Sequence, residues 1–338
     1  MKVGIVGAGM IVKNVLGFIH EVEGIELTAM CATPAEEEKV KEYCNLNNIK
    51  TYYLDYELML KDDNVEVVYL GVPNHLHYSF SKKALLADKH VICEKPFTSN
   101  YKEAIELAAI AREKNLMILE AVSTHYIPNT LKIKEDLKDI GDIKIVSMNY
   151  SQYSSRYDSF KNGEVLPAFN PKMSGGALMD LNIYNINFAV GLFGEPQDVN
   201  YLANVTRGID TSGILTLDYG AFKCVCIAAK DCKAPIVTNI QGDKGCIHIP
   251  GALNAVSKYQ LLLNKNNASK QMTGTDSDFR DYNGGKHRML HEFVEFTDII
   301  QNKKYEKANE MLNISLITMK IQTIAREKAG VVFDADLA

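Results

Sequence analysis

The sequence has no surplus of positive charge: 37 lysines and arginines stand against 42 acids, giving a formal net charge of -5. That balance lacks the electrostatic footprint of a nucleic-acid partner or of a protein held on an anionic membrane surface. No apolar stretch approaches the roughly 20 residues that a bilayer-spanning helix requires, so no membrane association is expected. The cysteines number seven and include no CxxC pair, which fits buried thiols in a reducing cytosol rather than a disulfide framework. Cys224 and Cys226, two apart, belong on one face of a strand. Met1 to Gly9 lack the basic leader and small-residue cleavage site of a secretory signal, and a cytoplasmic location is expected. There is no HExxH, and His75 and His77 lack a matching cysteine or acid cluster, so no metal is expected. No serine sits in a glycine elbow, which removes support for a nucleophilic hydrolase. Internal repeats, low-complexity segments and a Pro/Ser-rich linker are missing as well.

What is present is a globular composition: 338 residues, 46% hydrophobic and 23% charged, a length comfortable for two domains. Over the first 120 or so residues, short apolar runs (Val3–Val6, Leu27–Cys31, Val65–Leu70, Val91–Cys93, Met117–Leu119) alternate with helical patterns around Val12–Val22, Ala35–Asn45, Ser79–Ala87 and Lys102–Glu113. Near-continuous apolar strands separated by helices predict a parallel sheet covered on both faces. The pattern changes after Pro128. A helix through Leu131–Leu137 leads to an alternating segment, Ile143–Tyr153, and later to Gly213–Tyr219, Phe222–Ala229, Ile236–Gln241 and Cys246–Ile249, the last two joined by the hairpin composition Gly242–Gly245. This half reads as an α+β domain with a large, mostly antiparallel open sheet. Two helices, around His287–Ile300 and Met311–Lys328, close the chain. The boundary is placed at 122/123, with the last helix free to pack back on the first domain.

Gly7-Ala8-Gly9 follows the first strand and opens the first helix, the setting in which a glycine turn lets a pyrophosphate approach bare backbone and free helix N–H groups. Gly7, Ala8, Gly9, Met10 and Ile11 are therefore candidate dinucleotide contacts. Two features depart from the usual fingerprint. Val12 occupies the position where a third small residue normally permits close helix–strand packing. Ala32-Thr33 stands where an acid would grip the ribose hydroxyls, with no arginine to hold a 2′-phosphate. Small residues leave room for NADP while Glu36 to Glu38 oppose its charge, so NAD and NADP both stay open.

Three further segments carry chemistry. Pro73, Asn74 and His77 lie in the loop after the strand ending at Leu70, and Glu94-Lys95-Pro96 follows the strand ending at Cys93. Both loops belong at the carboxyl edge of the parallel sheet, where open α/β sheets bind ligands. Pro96 restricts Lys95, which aims that lysine through the backbone. In the segment Ser174 to Asn187, Ser174 is positioned to cap a helix beginning near Gly176, and spacings of four and three put Asp180, Tyr184 and Asn187 on one stripe. Apolar residues border that stripe on both sides, so it needs partners or lines a cavity.

The strand-initial GxG, the PN–x–x–H loop, the EKP turn and the GGALMD helix, in this order, resemble the Gfo/Idh/MocA family (glucose–fructose oxidoreductase and inositol dehydrogenase). The resemblance extends over nearly the whole chain, through Glu120-Ala121 and the Gly242–Gly245 hairpin. It implies a Rossmann domain followed by an α+β domain, often buried in homodimers or homotetramers through its open sheet. It also implies hydride transfer between a nicotinamide and a sugar, cyclitol or diol. By position, Lys95 is the family lysine touching the reacting hydroxyl and the cofactor, Asp180 the helix aspartate, and Asn74 and His77 the loop beside the nicotinamide. Tyr184 replaces a histidine common at that position, as in the branch containing dihydrodiol dehydrogenases, which Met117–Ala121 and Pro128 also fit. A phenol with an ordinary pKa of about 10 is a weak base at neutral pH, and pairing with the Lys95 ammonium would bring it into range. Asp180 would orient one of the two. His77 and His125 remain alternative bases, and Tyr126, Tyr153 and Arg156 are candidate substrate contacts. Two rival functions stay in view: a redox-neutral sugar-modifying enzyme that retains its cofactor, and a non-enzymatic dinucleotide-binding regulator.

Overall fold

The computed structural model describes residues 1–264 and 278–337, and the chain divides into two units, Met1–Ala121 with Met289–Met319 and Val122–Arg288 with Lys320–Ala338. In the first unit, strands β1 (Lys2–Val6), β2 (Glu26–Cys31), β3 (Thr51–Tyr53), β4 (Val67–Leu70), β5 (His90–Glu94) and β6 (Ile118–Ala121) form one sheet in the order 3-2-1-4-5-6. Every pairing in it is parallel. This is the doubly wound order, with its reversal of direction between β1 and β4. Helices α1 (Met10–Leu16), α2 (Glu37–Leu46), α3 (Tyr56–Leu60), α4 (His77–Leu86) and α5 (Tyr101–Glu113) connect the strands. Val67, Val68, Tyr69 and Leu70 are all buried, the two-sided burial that the unbroken apolar run predicts. Strand β3 has no such signature, because its three residues leave Tyr52 exposed. The first helix is shorter than its pattern suggests: it ends at Leu16, and the remaining buried apolar residues, Phe18, Ile19 and Val22, lie on and beside a 3₁₀ turn at Ile19–Glu21.

The β1/β4 reversal explains how valine is tolerated at position 12. Val12 is wholly buried, and a side chain at Gly71, just past β4, would come within 2.6 Å of Val12 Cγ2. The small residue that the close approach needs has moved from the helix to the facing turn. Gly7 is fixed as well, with φ +106° and Gly71 O only 2.4 Å from where a Cβ would stand.

The carboxyl edge of this sheet buries charge. Glu94 on β5, Glu120 on β6 and Glu292 on helix α9 (Leu290–Gln301) are all buried, and the Tyr69 hydroxyl donates to Glu94 Oε1 at 2.8 Å. Neither oxygen of Glu120 completes a hydrogen bond of normal geometry. Burial pushes its carboxyl up to about 7; the nearby Ser315 hydroxyl and Phe97 amide pull it back, Glu94 pushes it higher and Lys95 lowers it.

In the second unit, α6 (Pro128–Asp136) and α7 (Tyr157–Lys161) flank strand β7 (Ile143–Ser151) along the chain. A π-helical turn (Leu178–Asn182) runs into α8 (Ile183–Phe193). Strands β8 (Asp198–Thr206), β9 (Ile209–Asp218), β10 (Lys223–Ala229), β11 (Val237–Gly242), β12 (Gly245–Pro250), β13 (Tyr259–Leu263) and β14 (Phe279–Arg280) complete an eight-stranded sheet of order 14-13-12-11-7-10-9-8. All its neighbours are antiparallel except β7 and β10. Alternate residues (Val146, Met148, Cys224, Cys226, Leu215, Leu217, Ile240, Ile247) are buried on one face, while Leu202 and Ile214 on the other are exposed. Strand β8 escapes pattern reading because its outward positions mix Asn200, Leu202 and Asn204 with no polar alternation. The last helix, α10, spans Tyr305–Ala329.

Two outcomes test this account. Gly71→Ala costs about 1–3 kcal/mol by overpacking, and adding Val12→Ala recovers part of that loss, so urea melts of the two single variants and the double give a non-additive cycle; strict additivity refutes the exchange. The second concerns pH. A carboxyl whose folded-state pKa is raised from the ordinary 4.5 to about 7 makes the folded form hold more protons, so stability falls as pH rises between those values and levels off above. Relative to wild type, Glu120→Gln therefore gains up to ~3 kcal/mol between about pH 4 and pH 8. A melting-temperature difference that stays constant with pH refutes it.

Candidate active site

The dinucleotide elements sit where the fold reverses. Gly7 N–H donates to Cys31 O at 2.8 Å and Gly71 N–H to Val6 O at 2.9 Å, so the turns after β1 and β4 are tied to neighbouring strand ends. A Cβ at Gly9 would meet nothing within 4 Å. The backbone there opens onto free space beside the exposed Met10, with Ala8 buried and Ile11 half-buried behind it. These residues fit a pyrophosphate laid against bare backbone. Past β2, Ala32 is buried and Thr33 exposed, and the Thr33 hydroxyl donates to Glu36 Oε2 at 3.0 Å. Glu37 and Glu38 are both paired with Lys41, at 3.0 and 2.9 Å, so the acids that oppose a phosphate are partly neutralised locally.

Pro73 is exposed and Asn74 half-buried at the start of a 3₁₀ turn (Asn74–Leu76). His77, expected beside the nicotinamide, is fully buried. Its Nδ1 lies 2.7 Å from Pro96 O and its Nε2 2.9 Å from Val72 O. Burial lowers its pKa against the pull of those two carbonyls, and both ring nitrogens are engaged by backbone. His77 thus staples the 71–77 loop to the Lys95-Pro96 turn, a framework task where sequence reasoning expects a cofactor contact. Glu94, likewise expected at the cofactor, turns inward to Tyr69. Lys95 is half-buried and precedes a cis proline.

In the second unit, the helix carrying Asp180 and Tyr184 begins at Ala177. Its first N–H groups are served from another element: Leu178 N–H donates to Asp210 Oδ2 at 2.7 Å. Ser174, expected as the cap, instead occupies a left-handed turn with φ 55°. The π turn places Asp180 at its centre and precedes Tyr184, which is buried with its ring 6.0 Å from that of Tyr150. Such single π turns recur at functional sites. The Asp180 carboxylate accepts from Lys230 Nζ at 2.7 Å, with the Asp180 side chain 37% exposed and Lys230 3%. Asn187, the third member of the expected stripe, points into structure, bonding Ile183 O at 3.0 Å and His125 Nε2 at 2.9 Å. This occupies one nitrogen of the alternative base His125.

The remaining substrate candidates divide. Tyr126 is buried, whereas Tyr153 and Arg156 are exposed. Tyr153 is absorbed into a surface cluster: its hydroxyl donates to Asp158 Oδ1 at 2.8 Å and its ring packs edge-on against Tyr157.

Sequence reading missed Lys230 and Asp210. Lys230 has the same strand parity as the buried Cys224, Cys226 and Ala228, so counting by two from β10 puts it on the core face. Asp210 is fully buried beneath Gly176, where a Cβ would come within 2.0 Å of Asp210 Oδ1. Burial raises the Asp210 carboxyl to about 6 against the Leu178 amide, the Tyr201 hydroxyl and Lys230, which favour its charge. The glycine pair at 175–176 was legible, but not the acid it accommodates.

Residues 1–121 match the oxidoreductase family with an NAD-binding Rossmann fold (GFO_IDH_MocA), and residues 131–248 match the GFO/IDH/MocA C-terminal domain. The scyllo-inositol 2-dehydrogenase (NADP(+)) IolU of Bacillus subtilis is 33% identical over 100% of both chains. The trans-1,2-dihydrobenzene-1,2-diol dehydrogenase of Mus musculus is 25% identical over 99% of both. Among solved structures, the 3-ketoreductase KijD10 from Actinomadura kijaniata, in complex with NADP and TDP-benzene, shares the fold with a TM-score of 0.80 at 19% identity, covering 98% of each chain. With a glycine turn open to a dinucleotide in one unit and a charged helix turn in the other, the chain belongs to the Gfo/Idh/MocA family of NAD(P)-dependent oxidoreductases.

Proposed function

We propose that this oxidoreductase acts on a ring carbon bearing a hydroxyl, in a cyclitol, a sugar or a related vicinal diol. We assign the proton to Lys95, Tyr184 and Asp180, the dinucleotide to the first unit and the hydroxylated substrate to the second. The observation that carries the reading is the half-buried Asp180 carboxylate, held by the buried Lys230 ammonium at 2.7 Å, on the turn that leads to Tyr184. The relatives named as inositol and dihydrodiol dehydrogenases support the substrate class, since both named substrates carry adjacent hydroxyls on a six-membered ring.

When bound, the nicotinamide supplies the acceptor or donor of the hydride. Loss of a hydride turns the alcohol carbon into a carbonyl carbon and frees the hydroxyl proton. A group on the chain therefore takes that proton in oxidation and returns it in reduction. Tyr184 Oη is given that task. The Lys95 ammonium stabilises negative charge developing on the reacting oxygen, and Asp180 accepts a hydrogen bond that fixes the substrate's orientation. Tyr126 lines the substrate side in this reading.

We further propose that the open face of the eight-stranded sheet is covered in a homo-oligomer. Leu202, Ile214 and Ile227 lie in register across β8, β9 and β10, and Leu202 and Ile214 are exposed, an apolar row suited to a second copy. A cytoplasmic location is supported by seven cysteines that are all unpaired, including Cys224 and Cys226 with sulfurs only 3.8 Å apart.

Assayed with NAD and NADP against a panel of cyclitols, sugars and diols, the enzyme reduces cofactor with at least one ring polyol; failure across the whole panel with both cofactors sinks the substrate class. Tyr184→Phe lowers kcat by about 100-fold or more while leaving dinucleotide affinity unchanged, and wild-type turnover in that variant removes the assignment. Ile214→Glu shifts the mass measured by light scattering to that of a monomer; an unchanged mass refutes the sheet-face contact.

A further inference from the structure

Strand parity turns Lys230 inward, but the cost of burying its ammonium asks for a further reason. An ammonium almost wholly withdrawn from water is expensive to bury, and this one follows β10 directly, with its backbone N–H donating to Thr211 O at 2.8 Å. A strand-end lysine normally reaches water through its flexible stem. Here the stem runs inward instead. Nζ donates to Ala168 O at 3.0 Å and to Asp180 Oδ2 at 2.7 Å, and it stands 4.9 Å from the centre of the Phe169 ring. Two further acids lie nearby: Asp210 on β9, whose carboxyl Lys230 helps keep charged and which accepts from the Tyr201 hydroxyl on β8 at 2.9 Å, and Asp231 just past β10, which is occupied by the hydroxyls of Thr211 and Ser212 at 2.8 and 2.9 Å.

Asp210 is buried and Asp231 is bound to the hydroxyls of Thr211 and Ser212, whereas Asp180, half-buried, is the acid that Lys230 Nζ contacts directly. A half-buried carboxylate that keeps part of its surface in water does not need a wholly buried cation to be stable. The pairing instead fixes which way Asp180 faces, and does so at the centre of a π turn, where the backbone pattern is least regular.

We infer that Lys230 is a positioning residue of the active site, holding the Asp180 carboxylate in one orientation for the substrate. This inference rests on the reading that Asp180 works on the substrate. Lys230 itself need not touch substrate or cofactor, because its donors are directed at Ala168 and Asp180.

The experiment is a kinetic cycle on the full-length enzyme, with far-UV circular dichroism and melting temperature recorded for each variant and the best substrate of the polyol panel as probe. Lys230→Met lowers kcat by about 10- to 100-fold, leaves dinucleotide affinity unchanged and moves substrate KM less than kcat. Once Asp180→Asn has removed the carboxylate, adding Lys230→Met costs less than about 2-fold more, since the two act as a unit. Wild-type kcat in Lys230→Met, or losses that multiply in the double variant, overturn the inference while leaving the role of Asp180 intact. Full activity in Asp180→Asn is a different result: it overturns the reading of Asp180 on which the inference stands. Should Lys230→Met fail to fold, Lys230→Arg decides, because it keeps the charge and displaces it. A fall in kcat larger than the rise in KM supports positioning, and an effect confined to KM overturns it.

Discussion

The second unit is organised around a carboxylate and an ammonium 2.7 Å apart, one partly in water and the other almost wholly out of it. Removing an ammonium from water is unfavourable by several kcal/mol in practice, and only good geometry with further hydrogen bonds offsets it. The fold supplies those bonds through a chain of dependencies. Gly176, at φ +105°, lacks the side chain that would strike Asp210. Asp210, accommodated there, caps the turn at Leu178. That capped turn is the π segment, and its centre is Asp180. A side chain at Gly176 would therefore be felt at the carboxylate, although the two are four residues apart and play different parts.

The first unit meets its task by opposite means. Its dinucleotide elements are built from backbone and from missing side chains. Gly7 and Gly71 let two turns approach each other, and Gly9 leaves its outward side open. The exchange between Val12 and Gly71 shows that the constraint is on the pair of facing positions and not on either one alone. A fingerprint read along one strand sees a violated rule, while the structure sees the same contact satisfied from the other side. Next to Lys95 the unit also buries acids: Glu94 accepts from the Tyr69 hydroxyl, and burial pushes the Glu120 carboxyl up to about 7.

The histidines illustrate how far residue type alone can carry a functional reading. His77 lies in the motif and at the correct sheet edge, yet its ring ties two loops together. His125 gives one nitrogen to Asn187. Both were reasonable bases from sequence, because an imidazole titrates near neutrality wherever it is exposed. Which partners each ring finds depends on residues up to 62 positions away, and local spacing carries no record of them. Tyr153 and Arg156 follow the same logic in reverse: a loop after a long strand suggested a pocket lining, and the short helix α7 instead gathers Tyr153 into a surface cluster.

Taken by itself, the amino-acid sequence determined the parallel sheet and its glycine turn, the mostly antiparallel second sheet, and the motif set that marks the family. Each rests on periodicity or on a local backbone requirement, and both are written within a few neighbouring residues. It also placed Lys95, Asp180 and Tyr184 on their elements. Tertiary structure alone decided what stands behind those side chains: Lys230 under Asp180, Asp210 under Gly176, Gly71 against Val12, and a Glu120 carboxyl buried with no hydrogen bond of normal geometry. The physical reason is that burial and pairing of charge are properties of facing surfaces. A strand's parity tells which way Lys230 points, but only the packed fold tells what it meets there.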